Sequence, residues 1–231
     1  MNKFPNPIDH CYILCDPIRE PKRAKYLNDW ITSNNIDNSV ITMGLKCYGS
    51  DLSAEEIFRV YNPWVSRKPV ELDRNFNSYN LKPGEISLVI NWADAAKKAI
   101  DAKYEAVMIL ESDVVFNDNF LNSLGLALDA IKNVPWDYLS ISDGANLRPL
   151  RKPDQTNPGW FPSLHPYFHT RTTDAMIVKV SMLSKIYSTL FPFAEVLDWE
   201  LNYQLSLHKS FTLWLDPPLV KGTSTAFTTT I

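Results

Sequence analysis

The 231-residue chain holds only seven glycines and three cysteines. So few glycines give no Gly-rich phosphate loop of the kind that cradles nucleotide triphosphates, and none is found along the chain. The cysteines, Cys11, Cys15 and Cys47, are odd in number and lack the pair-of-pairs spacing of a zinc module. Cys11 and Cys15 bracket apolar residues in "CYILC" and read as buried thiols, which favours a reducing, cytoplasmic setting. No apolar run approaches the roughly 18 residues of a membrane span. The opening "MNKFPNPIDH" has no apolar run either and reads as lacking a signal peptide. Positive charge is not in excess: 23 Lys and Arg face 26 Asp and Glu, a net −3, which argues against a nucleic-acid partner. Internal repeats and low-complexity segments are absent.

What is there suits one soluble domain. Apolar residues make up 45% and charged residues 21%, ordinary values for a globular chain long enough for one sizeable core. Seven Trp, ten Tyr and eleven Phe fit a deep core or a cleft that stacks planar or sugar rings. Strand-like and helix-like patterns alternate. "HCYILCD" (His10–Asp16) reads as a buried strand, and Pro21 suits the first turn of a helix with an apolar stripe at Ala24, Leu27 and Ile31. "SVITM" (Ser39–Met43) is a second strand, and Ser53 with Glu56 has capping-box spacing. "GEISLVINWADAAKKAIDAK" repeats apolar residues from Ile86 to Ile100 at helical intervals, "AVMIL" is a central strand, and "NFLNSLGLALDAIKN" is a helix. "DYLSIS" and "DAMIVKV" are strands, "SMLSKIYSTLF" is a helix with Ser181 as its cap, "DWELNYQLSL" is a short helix and "SFTLWL" a last strand. Asn62–Lys82 and Gly144–Thr170 read as long loops, and the chain after Pro217 as extended. The pattern predicts a single α/β domain over 1–231, Rossmann-type, with a mostly parallel sheet and helices on both faces. Ligands of such sheets bind at the carboxyl ends of the strands.

"AVMILESDVVF" places Glu111 and Asp113 at one of those ends. If the strand conformation runs on through Asp113, residues two apart face the same side and both carboxylates reach one ion. Oxygen ligands suit Mg²⁺ or Mn²⁺, an ion that offsets charge on a diphosphate leaving group. The plainer alternative is an acid pair that solvates the strand exit or caps the next helix.

"YILCDPIREPKRAKYL", "LKPGEISLVINWADAAKKAI", "EAVMILESDVVFNDNFLNSL" and "DYLSISDG" follow one another at domain-like spacing. Together they resemble glycosyltransferase family 25, the lipopolysaccharide-type and procollagen galactosyltransferase group, over most of residues 10 to 143. The resemblance implies a GT-A fold, with a nucleotide-sugar half at about 1–143 and an acceptor half at about 144–231. It also implies a divalent metal at Glu111 and Asp113, a UDP-hexose donor, a glycan or glycoprotein hydroxyl as acceptor, and inversion at the sugar. Nucleotide contacts are implied at Asp16, Arg19, Arg23, Glu85 and Ser112, of which Asp16, Arg19 and Arg23 read equally as a solvated helix face. The chain departs from the family at Ser112, where a middle acid is missing, and at Asn91-Trp92, where the family has Ser-His. It departs again in "LVKGTS", where a related transferase domain places a metal-binding His and this chain has Lys221, which would meet the diphosphate directly.

An inverting transferase needs a carboxylate that takes the acceptor's proton. Asp198 in "VLDWEL" matches the family's late Asp, with Glu200 as alternate and a helix N-cap as the structural reading of Asp198. His165 and His169, four apart in "SLHPYFHT", are separated by Pro166, which opposes a helical metal pair and leaves them to shape an acceptor loop. Trp92, Trp160 and Trp199 serve either as sugar platforms or as core, and Asp143-Gly144 as a ligand contact or a turn. Two other functions compete with glycosyl transfer. One is nucleotidyl transfer. The other is a degenerate GT-A fold that binds glycans or a partner, to which the altered acidic motif lends support.

Overall fold

The structure, a computed structural model, describes residues 1–67, 80–146, 159–162 and 168–222. Alternation in the strands sets its layers. In β3 (Ala106–Glu111), Ala106, Met108 and Leu110 enter one apolar cluster, while Val107 and Ile109 enter a second on the opposite face. β1 (Ile8–Leu14) divides the same way, with Cys11 and Ile13 on one side and Tyr12 and Leu14 on the other. A strand buried on both faces needs cover on both, and helices supply it.

The described elements run β1, α1 (Pro21–Ser33), β2 (Ile41–Met43), α2 (Ala54–Val60), α3 (Pro83–Ala102), β3, β4 (Val114–Phe116), α4 (Phe120–Ala130), β5 (Tyr138–Ser140) and β6 (Gly159–Pro162). β7 (Ala175–Lys179), α5 (Val180–Thr189), α6 (Leu197–Leu207), β8 (Thr212–Asp216) and β9 (Val220–Gly222) complete them. The main sheet has the order β2-β1-β3-β7-β5-β8-β6. β2, β1 and β3 are parallel neighbours, as are β5 and β8, whereas β7 pairs antiparallel with both β3 and β5, and β6 antiparallel with β8. Five of the seven strands therefore point one way. The expected mostly parallel sheet of an α/β domain is present, with β7 reversed at its centre. A two-stranded ribbon, β4 with β9, lies beside it.

Helix signals in the sequence act as physics requires. Pro21 begins α1, whose buried stripe is Ala24, Leu27, Trp30 and Ile31. Ser53 and Glu56 form the capping box of α2. α3 buries Val89, Trp92, Ala96 and Ala99 against the second cluster, its small residues letting α5 approach closely. Ser181 does not cap α5: the cap position is Lys179, without a side-chain bond, and exposed Ser181 lies inside the helix. β7 runs directly into α5, which leaves no separate turn for a capping serine. The second strand is shorter than expected, since Asn38–Val40 is a 3-10 turn capped by Asp37. The stretch read as one long loop at Gly144–Thr170 contains β6. Residues 147–158 and 163–167 of that stretch, His165 among them, much of the Asn62–Lys82 loop and the tail beyond 222 lie outside the described residues. Among the described residues no helix is long and apolar enough to cross a membrane. Cys11 and Cys15 are buried free thiols and Cys47 is half-buried. Burial pushes the Cys15 thiol up to about 12, so it is inert at neutral pH.

Candidate active site

β1 and β3 are parallel neighbours in register, with Leu14 beside Glu111, so both deliver the chain to the same end of the sheet. A cleft of about 650 Å³ opens there, bounded by the start of α1, the turn at Gly49–Asp51, the start of α3 and the β3–β4 turn. That volume lies in the range of small-molecule sites. The cleft wall depends on a close approach. A Cβ at Gly49 would sit 2.5 Å from Gly84 N, so only glycine lets the Gly49–Asp51 turn meet the first turn of α3. Asn91 holds the neighbouring backbone: its Oδ1 accepts from Lys46 N (2.8 Å) and Cys47 N (3.1 Å), and its Nδ2 donates to Cys47 O (2.9 Å). Asn91 thus builds the wall, while Trp92 is fully buried and donates to Met176 Sδ.

The strand ends at Glu111, and Ser112 and Asp113 form a turn rather than continuing it. The two acids meet all the same, and a third joins them. Glu111, Asp113 and Asp174 each offer a carboxylate oxygen, and the three lie within 4.8 Å of one another. Asp174 arrives because β7 runs antiparallel to β3. Ala175 pairs with Leu110, and Glu111 N donates to Asp174 O at 2.9 Å. An acid just before a buried strand was visible in "TDAMIVKV", but only the reversed pairing of that strand brings it to the end of β3.

The cluster is electrostatically crowded. Burial raises Glu111 from its ordinary 4.5 to about 8, with the charges of Asp174 and Asp113 adding to it and the Thr173 hydroxyl opposing. Asp174 is raised to about 6, again by burial first, against a hydrogen bond from Thr172. Burial raises Asp113 too, while the Arg23 guanidinium works the other way. Asp198 also raises Glu111 and Asp174, so its carboxylate belongs to the same neighbourhood. The donor set is all oxygen, acidic and already converged, which fits a hard divalent cation such as Mg²⁺ or Mn²⁺. A cation there would offset both the burial of these charges and their mutual repulsion.

The other expected residues divide. Arg23 Nη1 donates to Glu20 Oε1 (2.6 Å) and to Ser112 Oγ (2.8 Å), and Ser112 Oγ donates to Glu20 Oε1 (2.8 Å). This triangle ties the start of α1 to the acid turn and sets Arg23 and Ser112 in the cleft; Glu20, which the sequence reading passed over, is its hub. Glu85 also lines the cleft, but its carboxylate accepts from Lys82 N (2.6 Å) and caps α3. Asp16 folds its own loop by accepting from Ile18 N and Arg19 N. Arg19 is exposed, bonds Asp51 at 2.9 Å and lies over the ring of Tyr48, which itself lines the cleft. Lys221 is exposed on β9, adjacent to Gly222, which backs Asp174; neighbouring strand residues face opposite ways, so Lys221 leaves on the other side.

Asp198 is in the first turn of α6, whose N-cap is Val196, and it accepts from Trp199 N at 2.9 Å. Glu200 is fully buried: Arg67 Nε donates to it at 2.9 Å, as do Ala194 N and Gln204 Nε2. This is an internal ion pair that pins residues 62–67 to α6. His169 bonds Thr212 and Ser206 through its ring, and burial lowers it to about 4, a satisfied neutral histidine. Trp199 packs edge-on against Phe168, and Trp160 donates to Ala127 O. Asp143 accepts from Ala145 N in a turn where Gly144 takes φ +58°, and its charge reaches Asp174.

No family model matches the chain, and no curated protein matches it. Among solved structures it is similar to A197 from STIV, at 17% identity over 95% of this chain and 83% of that one, with a TM-score of 0.47. It is also similar to a glycosyltransferase involved in the glycosylation of the major capsid of PBCV-1, at 9% identity over 96% of each chain, with a TM-score of 0.43.

Proposed function

We propose that the chain transfers a glycosyl group from a nucleotide-diphosphate sugar, of the UDP-hexose kind, to a hydroxyl of a glycan or glycoprotein, with inversion. The observation that carries this reading is the cleft of about 650 Å³ whose floor includes Glu111 and Asp113, with Asp174 completing the acid cluster and Arg23 and Lys82 in the lining. A base and ribose fit a cleft of that size, and a diphosphate at its floor meets Arg23 and the N-terminal turn of α3. A divalent cation held by Glu111, Asp113 and Asp174 would supply the positive charge that the departing diphosphate needs.

In this reading the acceptor oxygen attacks the anomeric carbon while the bond from that carbon to the diphosphate oxygen breaks. The bonding pair leaves with the diphosphate. Asp198, near the acids, takes the acceptor's proton. Glu200 is given no part in the chemistry, because its oxygens are already bonded within a buried ion pair. The Glu20–Arg23–Ser112 triangle orients the acid turn.

The third carboxylate favours one other reading, nucleotidyl transfer, which commonly gathers several acids around two metals. A panel of nucleotide sugars and nucleoside triphosphates with Mn²⁺ separates the two. Release of nucleoside diphosphate from a sugar donor supports glycosyl transfer. Turnover of triphosphates alone overturns it in favour of nucleotidyl transfer, and glycan binding without any turnover leaves a binding protein.

A further inference from the structure

The acids of the cluster are aimed by other residues. Thr173 Oγ1 donates to Glu111 Oε1, and Thr172 Oγ1 donates to Asp174 Oδ2 at 2.6 Å. Both hydroxyls sit on the segment that leads into β7, and that segment is held firmly. Asn202 Oδ1 accepts from His169 N (2.6 Å) and Thr170 N (2.9 Å), and its Nδ2 donates to Thr170 O (2.9 Å). Trp214 Nε1 donates to His169 O at 3.0 Å. Thr170 Oγ1 gives its proton to Thr172 O at 3.0 Å, so the Tyr138 hydroxyl, 2.9 Å away, is the donor to Thr170. At the end of this chain of bonds Thr172 has φ +59°. A β-branched residue in the left-handed region is strained and persists only where its surroundings over-determine it. The third contact comes from β9. A Cβ at Gly222 would lie 2.8 to 3.0 Å from Cγ and both oxygens of Asp174, so the glycine leaves the room that this carboxylate occupies.

We propose that Thr172, Thr173 and Gly222 are positioning residues for a divalent cation at Glu111, Asp113 and Asp174. A hydroxyl that occupies one oxygen of a carboxylate fixes its rotation, and so fixes where the second oxygen points. Thr173 does this for Glu111 and Thr172 for Asp174, while Gly222, by lacking a Cβ, leaves Asp174 the room for that orientation. Without these contacts, two mutually repelling carboxylates would turn apart. The strain at Thr172 is explained by this role, since a relaxed backbone would carry its hydroxyl off Asp174. The inference rests on the metal-binding part of the proposed function.

The test is Mn²⁺ titration of the full chain, followed by electron paramagnetic resonance of the free ion, with and without UDP. The variants are Thr173→Val, Thr172→Val, Gly222→Ala and the conservative Thr173→Ser, each checked for a cooperative melt. Loss of a partner that orients a metal ligand weakens metal binding by about 10- to 100-fold. Both valine variants and Gly222→Ala are expected to lose about tenfold or more, with Thr173→Ser staying within about twofold of the wild type. Should a valine variant fail to fold, Gly222→Ala set against Thr173→Ser decides. Wild-type affinity in the folded valine and alanine variants overturns the positioning role alone. No Mn²⁺ binding by the wild type overturns the metal site, and this inference with it.

Discussion

Replacing Glu111 by Gln should make the cation-free protein more stable at alkaline pH while removing its response to Mn²⁺. Glu111 is lifted from 4.5 to about 8 by burial and by the charges of Asp174 and Asp113. Between those two values the folded state keeps a proton that the unfolded chain has released. Raising the pH through this window therefore takes stability away, and the loss is complete above the folded pKa. Each tenfold change in proton affinity is worth about 1.4 kcal/mol, so the full displacement sets a ceiling of several kcal/mol. Glu111 lines a water-accessible cleft, and solvent screening brings the expected loss to about 2 kcal/mol. Gln keeps the shape and can still accept from Thr173, but has no charge to bury. For a chain of this length about 2 kcal/mol is a shift of roughly 4–8 °C in Tm. Thermal melts in chelator from about pH 5 to about pH 8.5 should show the wild type falling and Glu111→Gln falling less, with the variant ahead at the alkaline end. Mn²⁺ should raise the wild type there and leave the variant nearly unmoved. A wild-type Tm that is flat with pH, or a variant less stable at about pH 8.5, would refute the crowded-acid account.

Asp198→Asn should lower transfer by about 10²-fold or more while nucleoside diphosphate affinity stays unchanged, since a general base acts on the acceptor's proton and not on the donor; full activity in a steady-state assay removes Asp198 from the chemistry. Glu200→Gln should cost about 3–5 kcal/mol in denaturant unfolding by removing the carboxylate charge that faces buried Arg67; a stability unchanged within error contradicts the buried pair. Gly49→Ala should weaken nucleotide binding, since its Cβ must displace the first turn of α3 by contact with backbone at 2.5 Å; unchanged affinity in calorimetry means that this wall does not touch the ligand.

The local codes in the sequence were legible where one element suffices to read them. Pro21, the Ser53–Glu56 box and the stripe of α3 each announce a helix through neighbours a few residues apart. The acid pair at the end of β3 was legible for the same reason, since an apolar run that stops in carboxylates marks a strand exit. Asp174 was not, because its place depends on β7 lying reversed between β3 and β5, a long-range pairing that no local pattern encodes. Glu200 shows the opposite failure. Beside Asp198 in "LDWEL" it looks equally exposed, yet α6 turns it inward onto Arg67, which lies 133 residues earlier. Thr172 and Thr173 look like ordinary loop residues until their hydroxyls are seen on the acids. Lys221 looked like a phosphate ligand, but strand alternation in β9 sends it away from the side that Gly222 presents to Asp174.

The central claim is that one cleft binds a nucleoside diphosphate together with a divalent cation on Glu111, Asp113 and Asp174. Calorimetry of UDP binding, with Mn²⁺ and with chelator, on the wild type and on Asp113→Asn, tests it most directly. The account predicts that Mn²⁺ tightens UDP binding to the wild type by about tenfold or more, or about 1.4 kcal/mol, and that Asp113→Asn loses most of this gain while still folding. Equal UDP affinity with Mn²⁺ and with chelator, or the same Mn²⁺ gain in Asp113→Asn, would contradict it.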